Sequence, residues 1–329
     1  MLLRRTSPDQ PGWSRRRAGK GFVYLDEQGA RLTGEEAERC RDLVIPPAWS
    51  DVWICPHPRG HLQAVGTDEA GRRQYIYHPA WVEQRSAEKY DHVLRFGRRL
   101  PRVRERVLAD LALDDVSEQV GCAVAVRLLD LGFFRIGNDV HAEENGSFGL
   151  TTLERRHVRL VKGVLVFEFV GKSGVEHRIE VDDPLVEGPL DRMRRRRSAS
   201  DRCLLAFRVD RRWRSLTPDA VNDYVREISG LDATAKDFRT WHATVIAAAA
   251  ISEAPGPEAS PTKRKRAVAA VMREVADYLG NTPALARSAY VDPRVIDAYE
   301  EGRTIRPRPG APTTTPTNAR QRSSARCCG

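Results

Sequence analysis

The sequence predicts an α+β protein of two domains, a small antiparallel β-sheet domain followed by a larger, mostly α-helical domain that carries a β-hairpin. Three observations predict it. At 329 residues the chain is longer than one hydrophobic core comfortably serves. Between Phe22 and Tyr77 short apolar runs alternate with turn residues, the pattern of antiparallel strands. Beyond Ala80, helical periodicity with recognisable caps dominates, with one β interruption over His157–Val181. The expected boundaries are a flexible basic arm over 1–20, a β-rich domain over 21–85, a mainly helical domain over 86–301, and a disordered tail over 302–329.

The first ordered element is a strand over Phe22-Val23-Tyr24-Leu25, closed by Asp26 to Gly29. Thr33 and Glu36 have capping-box spacing and open a helix over Glu35–Leu43, which Pro46-Pro47 ends. Three strands follow at Asp51–Cys55, His61–Gly66 and Arg72–Tyr77, with turns at Pro56–Gly60 and Thr67–Gly71. Ala80 to about Leu100 reads as a charged helix crossing into the second domain. Helices over Arg104–Leu113 and Ser117–Leu131 come next, the latter stopped by Gly132. Lys162-Gly163 and Gly171-Lys172-Ser173-Gly174 turn the β interruption. Thr217-Pro218 opens a helix with Val221, Tyr224, Val225 and Ile228 on one face, ending at Gly230. His242–Ile251 is Ala-rich, apolar all round, and expected to be buried. Lys263–Leu279 is a basic amphipathic helix closed by Gly280. Thr282-Pro283 starts a short helix that leaves Tyr290 in its last turn, before Asp292-Pro293.

Lys+Arg of 54 against Asp+Glu of 45 gives a net charge of +9, which favours a polyanionic partner such as nucleic acid or an anionic membrane surface. Arginine supplies nearly all of it, since only seven lysines occur. The six cysteines show no metal or disulfide framework and fit a reducing compartment. No signal peptide or membrane span is legible, so a cytoplasmic, nucleoid-associated location is expected. Gly171-Lys172-Ser173 ends like a phosphate loop, but Val166 stands where that motif needs glycine. His57 and His61 lack a third ligand nearby and read as surface histidines. Without nucleotide or metal motifs, no cofactor is expected, and the chemistry falls to side chains.

What remains is a set of polar residues at element ends: Arg135, Lys172, Lys236, Arg239, Asn281 and Tyr290. Taken singly, each has an ordinary structural explanation: a helix cap, a solvated turn, an ion pair, a core aromatic. Together they stand within a wider set of motifs: Arg72-Arg73-Gln74-Tyr75-Ile76-Tyr77-His78-Pro79, Phe134-Arg135-Ile136-Gly137, Glu144-Asn145-Gly146-Ser147-Phe148-Gly149-Leu150-Thr151-Thr152-Leu153, Gly171-Lys172-Ser173-Gly174, Lys236-Asp237-Phe238-Arg239-Thr240-Trp241 and Ser288-Ala289-Tyr290-Val291-Asp292-Pro293. In that order and spacing, over roughly residues 20 to 300, the chain resembles the bacterial and poxvirus-type IB DNA topoisomerases.

The resemblance implies that Tyr290 attacks a DNA phosphodiester, leaving a 3′-phosphotyrosyl bond and a free 5′-hydroxyl. It implies that Arg135 and Arg239 contact the non-bridging oxygens and that Lys172 protonates the leaving oxygen. Asn281 stands where many members carry histidine, and an amide can donate to a phosphate but cannot act as a base. It further implies that the β-rich domain helps clamp duplex DNA, with Gln74 and Tyr75 touching it; Tyr77, on Tyr75's face, and Lys236 are added as DNA contacts. The run Arg192–Arg197 reads as a solvated loop with a possible non-specific role on DNA. The chemistry is coherent: phosphoryl transfer needs fixed positive donors, arginine presents a permanently charged fork, and lysine can release a proton. Tyrosine recombinases share this chemistry, but they carry histidine where Lys236 stands. A non-catalytic DNA-binding relative is the reading from another class. One tyrosine suffices for one strand, so a monomer is expected.

Overall fold

The computed structural model describes residues 2–131, 134–137, 146–197, 202–305 and 319–324. The chain divides into two compact units, residues 1–91 and 92–329. The α+β organisation is as expected, an antiparallel sheet first and helices after it.

In the first unit, strands β1 (Trp13–Ala18), β2 (Gly21–Leu25), β3 (Ser50–Ile54), β4 (Leu62–Thr67) and β5 (Arg73–Tyr77) form one antiparallel sheet in the order β2-β1-β3-β4-β5. Helix α1 (Gly34–Asp42) completes it, and Trp13, Leu32, Ala37, Cys40, Val52, Ile54 and Ala64 share its core. The segment expected to be a flexible arm therefore contains a central strand. Its arginines conceal it, because strand pairing uses main-chain groups that side-chain charge does not disturb. Arg15 even serves the fold: its guanidinium donates to the carbonyls of Ile45 (2.9 Å) and Trp49 (2.8 Å) and stacks over Phe22. Thr33 stands at the N-cap of α1, but its side chain makes no capping hydrogen bond. His57 and His61 are engaged by Arg4 Nη1 and by the Thr6 backbone N–H.

Helix α2 (Pro79–Leu111) runs through the division between the units. The expected break near Leu100 is absent, although Pro101 lies inside the helix. An internal proline costs about 3 kcal/mol. Burial of Phe96, Leu100, Val103, Val107 and Leu111 on one stripe either side of it offsets that cost.

The second unit adds α3 (Glu118–Asp130), β6 (Val158–Val161), β7 (Val164–Val170), β8 (Glu176–Val181), α4 (Pro184–Arg195), β9 (Ala206–Val209), β10 (Arg212–Ser215), α5 (Pro218–Ser229), α6 (Ala235–Ser252), α7 (Pro261–Leu279), α8 (Pro283–Ala289), α9 (Pro293–Glu300) and β11 (Ala319–Ser324). Local capping decides several boundaries: Ser117 accepts from Val120 N, Thr217 from Ala220 N, and Gly230 and Gly280 close α5 and α7 in the left-handed conformation. The β9–β10 hairpin was not expected. Its turn uses Asp210 and Arg211 at positive φ (48° and 66°), without the glycine that usually signals such a turn. Within the tail expected to be disordered, β11 pairs antiparallel with β8, from Ala319↔Val181 to Ser324↔Glu176; residues 306–318 and 325–329 lie outside the described residues.

Two further expectations are corrected. Arg192 to Arg195 lie on α4 and pair internally, Arg192 with Asp114 and Arg194 and Arg195 with Asp191. Arg196 is buried and donates to the carbonyls of Met193 and Leu204. The Ala-rich helix begins seven residues earlier than expected, because the Asp237 side chain accepts from Thr234 N and Oγ1 and caps α6 there. Lys236 and Arg239 therefore lie on α6 itself. Within the expected stretch it is buried at His242, Ala243, Thr244, Ala247 and Ile251 and half-buried at the residues between, while Lys236 in its first turn is exposed.

Candidate active site

Four of the five residues implied as catalytic form two contacting pairs within the second unit, Arg135 with Asn281 and Arg239 with Tyr290, and the charge of Arg135 acts on Arg239. Arg135 lies on the segment 134–137, just after α3. That segment is clamped by the one at 146–151: Leu150 N donates to Arg135 O (2.7 Å), and Thr151 donates to Ile136 O through both N and Oγ1 (2.8 Å each). The two chains pass so close that a Cβ on Gly149 would lie 2.3 Å from Gly137 Cα. The glycines of both motifs thus permit the approach that fixes Arg135. Glu144 and Asn145 of the second motif lie outside the described residues.

The end of α3 is anchored as well. Asp130 accepts a two-pronged hydrogen bond from Arg104 (2.7 and 3.0 Å) and lies 3.2 Å from His242 Nε2 on α6. Burial opposes ionisation of Asp130, yet His242 and Arg104 hold it well below the usual carboxylate range. Tyr278 Oη on α7 donates to Leu131 O at 2.5 Å.

The half-buried Arg135 donates from Nη2 to Asn281 Oδ1 (2.5 Å) and to Gly280 O (3.1 Å). This settles how the amide faces, since an arginine offers no acceptor and the oxygen must point to it. The Asn281 Nδ2 group is buried and has no hydrogen-bond partner among the described residues. A buried donor left open at such a cluster matches a ligand oxygen.

Arg239, 4% exposed, projects from α6. It donates to Leu279 O (2.5 Å) and Phe134 O (3.5 Å), hydrogen-bonds Tyr290, and places its guanidinium carbon 5.8 Å from the centre of the Tyr290 ring. Burial, and then the charge of Arg135, lowers its pKa from the ordinary arginine value. Two guanidiniums are thus held together at an electrostatic cost that an anion would relieve.

Tyr290 follows α8 at its C-cap and is half-buried against the core of α6 and α7. Thr244, also on α6, donates from Oγ1 to Tyr290 O (3.3 Å) and accepts from Asp292 N (3.2 Å). One helix therefore meets Tyr290 twice, at ring and carbonyl. Lys172 stands exposed on the single helical turn Lys172–Gly174 between β7 and β8, and makes no hydrogen bond or ion pair among the described residues. Lys236 is exposed one turn before Arg239 and does not join the cluster.

In the first unit, Tyr75 and Tyr77 stack at 6.1 Å on the exposed face of β5, 49% and 40% exposed. Alternation along the strand places Gln74 on the other side, with Ile76. Gln74 and Tyr75 therefore do not share a face. Gln74 Nε2 donates to Asp68 Oδ2 (2.9 Å). Sequence reasoning missed Thr244, His177 and Asp68. No motif marked them: Thr244 and His177 meet residues distant in sequence, and Asp68 reaches Gln74 from the turn before its strand.

A family model described as the eukaryotic DNA topoisomerase I catalytic core matches residues 78–303, and one described as the bacterial DNA topoisomerase IB N-terminal domain matches residues 21–68. A DNA topoisomerase 1B of Acanthamoeba polyphaga mimivirus is 27% identical over 308 residues, 88% of each chain. The DNA topoisomerase 1B of Vaccinia virus (strain Copenhagen) is 22% identical over 238 residues, 72% of each chain. With the catalytic-core match spanning more than half of its length, this chain belongs to the bacterial and poxvirus-type IB DNA topoisomerases, a family of isomerases that act on DNA.

Proposed function

We propose that the protein relaxes positive and negative supercoils by transient cleavage of one DNA strand at Tyr290, without ATP or metal. The observation that carries this reading is the pairing of Arg239 with Tyr290 and of Arg135 with Asn281, which gathers two cations, an open amide donor and a phenol. The Tyr290 oxygen attacks the phosphorus and the bond from phosphorus to the 5′-oxygen breaks. The phenol proton leaves to solvent, and Lys172 gives its proton to the departing oxygen, which as an alkoxide would be a very poor leaving group. The Arg135 and Arg239 guanidiniums and Asn281 Nδ2 stabilise charge on the non-bridging oxygens. Asn281 acts here as a fixed donor, not in proton transfer. The 3′-phosphotyrosyl bond conserves the phosphodiester energy, so religation needs no nucleotide. One tyrosine cuts one strand, so the reaction is that of a monomer. Supercoiled plasmid is expected to relax in EDTA without nucleotide, from either sign, at a rate linear in enzyme concentration. A strict need for Mg²⁺ or ATP would overturn the chemistry.

Tyr75, Tyr77 and Lys236 are proposed DNA contacts, Lys236 toward phosphate. Gln74 is proposed to read a base edge. With one N–H held by Asp68, its Oε1 stays free to accept from the amino group of adenine or cytosine. Gln74→Ala and Asp68→Ala are expected to shift the ratio of cleavage among sites on one DNA by about fivefold, the worth of one hydrogen bond. Cleavage maps on end-labelled duplex test this; a uniform change at every site would contradict it.

A further inference from the structure

Gly171 and Gly280 immediately precede Lys172 and Asn281, and one side chain lies against both. His177, on β8, is 8% exposed. A Cβ on Gly171 would lie 2.6 Å from its Cδ2 and Nε2, and a Cβ on Gly280 would lie 3.1 Å from its Cε1. The ring stacks on Phe169 at 5.1 Å, and Phe169 stacks on Phe134, the residue before Arg135, at 6.2 Å. The imidazole thus abuts the chain beside the proposed proton donor and beside the proposed amide donor. It is one ring removed from the chain beside the first arginine.

We infer that His177 is a positioning residue, a wedge between the Gly171-Lys172 turn and the Gly280-Asn281 turn that sets the reach of Lys172 toward the phosphate held by Arg135, Arg239 and Asn281. Lys172 needs such a device. It stands exposed on a single helical turn between β7 and β8, and its side chain has no hydrogen bond or ion pair among the described residues to hold it. The identity of the wedge also makes sense. The charged groups acting on it are Arg135 and Arg239, with Lys172 on the adjoining turn. Burial and the two arginines lower the imidazole to about 4, so it packs there uncharged at neutral pH. A flat, neutral ring fills the gap without adding a further cation to the site.

The inference rests on the proposed cleavage chemistry, and single-turnover formation of the covalent adduct on a nicked duplex tests the two separately. Absence of an adduct with the unmodified protein would sink the proposed chemistry itself. Given an adduct, His177→Ala is expected to slow its formation by about 100-fold, the usual cost of a misplaced group. Affinity for the same duplex, measured in the Tyr290→Phe background, is expected to stay unchanged. A duplex with sulfur in place of the bridging 5′-oxygen should recover most of the lost rate, because a leaving thiolate needs no proton. Gly171→Ala requires no strained backbone at φ −95° and only pushes a methyl into the ring. It is expected to slow cleavage when His177 is present and to do little in His177→Ala. His177→Phe keeps a ring of similar size, should retain most activity, and serves if His177→Ala does not fold. Cleavage by His177→Ala at the normal rate, no recovery with sulfur, or a His177→Phe as slow as His177→Ala would each overturn the wedge.

Discussion

Tyr290→Phe is expected to lower relaxation by about five orders of magnitude or more, the scale for loss of a nucleophile, while leaving DNA affinity intact. The phenyl ring keeps its place against α6 and α7 and its position beside the Arg239 guanidinium, and the backbone clip from Thr244 is untouched. Only the hydroxyl and its hydrogen bond with Arg239 are lost. Because that bond lies beside a half-buried ring, fold stability should change by about 1 kcal/mol or less. Plasmid relaxation, covalent-adduct formation and duplex binding measured together check this. Retained relaxation would remove Tyr290 from the role. Loss of binding alongside activity would show that the hydroxyl serves the DNA interface and not the reaction.

Arg239→Met is expected to lower cleavage by about 10³- to 10⁵-fold, the range for removing an arginine from a phosphoryl-transfer site. Its effect on stability should be small, and the magnitudes show why. Removing the guanidinium leaves the carbonyls of Leu279 and Phe134 without this donor, about 1–3 kcal/mol for each. Against this, a nearly fully buried cation beside Arg135 carries a desolvation and repulsion cost of several kcal/mol, and its lowered pKa is the sign of that cost. A methionine of similar length returns most of the cost, so the net change should lie within about 2 kcal/mol. Denaturant melts alongside single-turnover cleavage separate the two. Unfolding of the variant would mean that Arg239 is a structural strut between the end of α7 and Phe134. Near-normal stability with lost cleavage would mean that the cation is held there for the phosphate.

The unequal standing of the two arginines could not be read from the sequence, where both follow an aromatic residue and look alike. Arg239 is buried because the Thr234–Asp237 cap starts α6 early enough to carry it inward. Arg135 stays half-exposed because its segment is held at backbone level by Leu150 and Thr151. The Asn281 question was likewise open in the sequence. The facing of its amide follows from a contact with a residue 146 positions away.

What the sequence by itself determined is whatever depends on a few neighbouring residues. The serine and threonine caps of α3, α5 and α8, the glycine stops of α5 and α7, and the alternation of β3 to β5 all rest on hydrogen bonds or faces within about one turn. The types of chemical group available, a phenol, two guanidiniums, an amine and an amide, were also legible, as was the family their order resembles. Only the tertiary structure decided the rest. It seated the Trp13–Ala18 strand against β3 through Trp13 and Ser14, carried α2 through Pro101, and brought Thr244 and His177 to the site. Each of these turns on a partner tens of residues away, or on burial that outweighs a local preference by a few kcal/mol. Neither is written in any short stretch of chain.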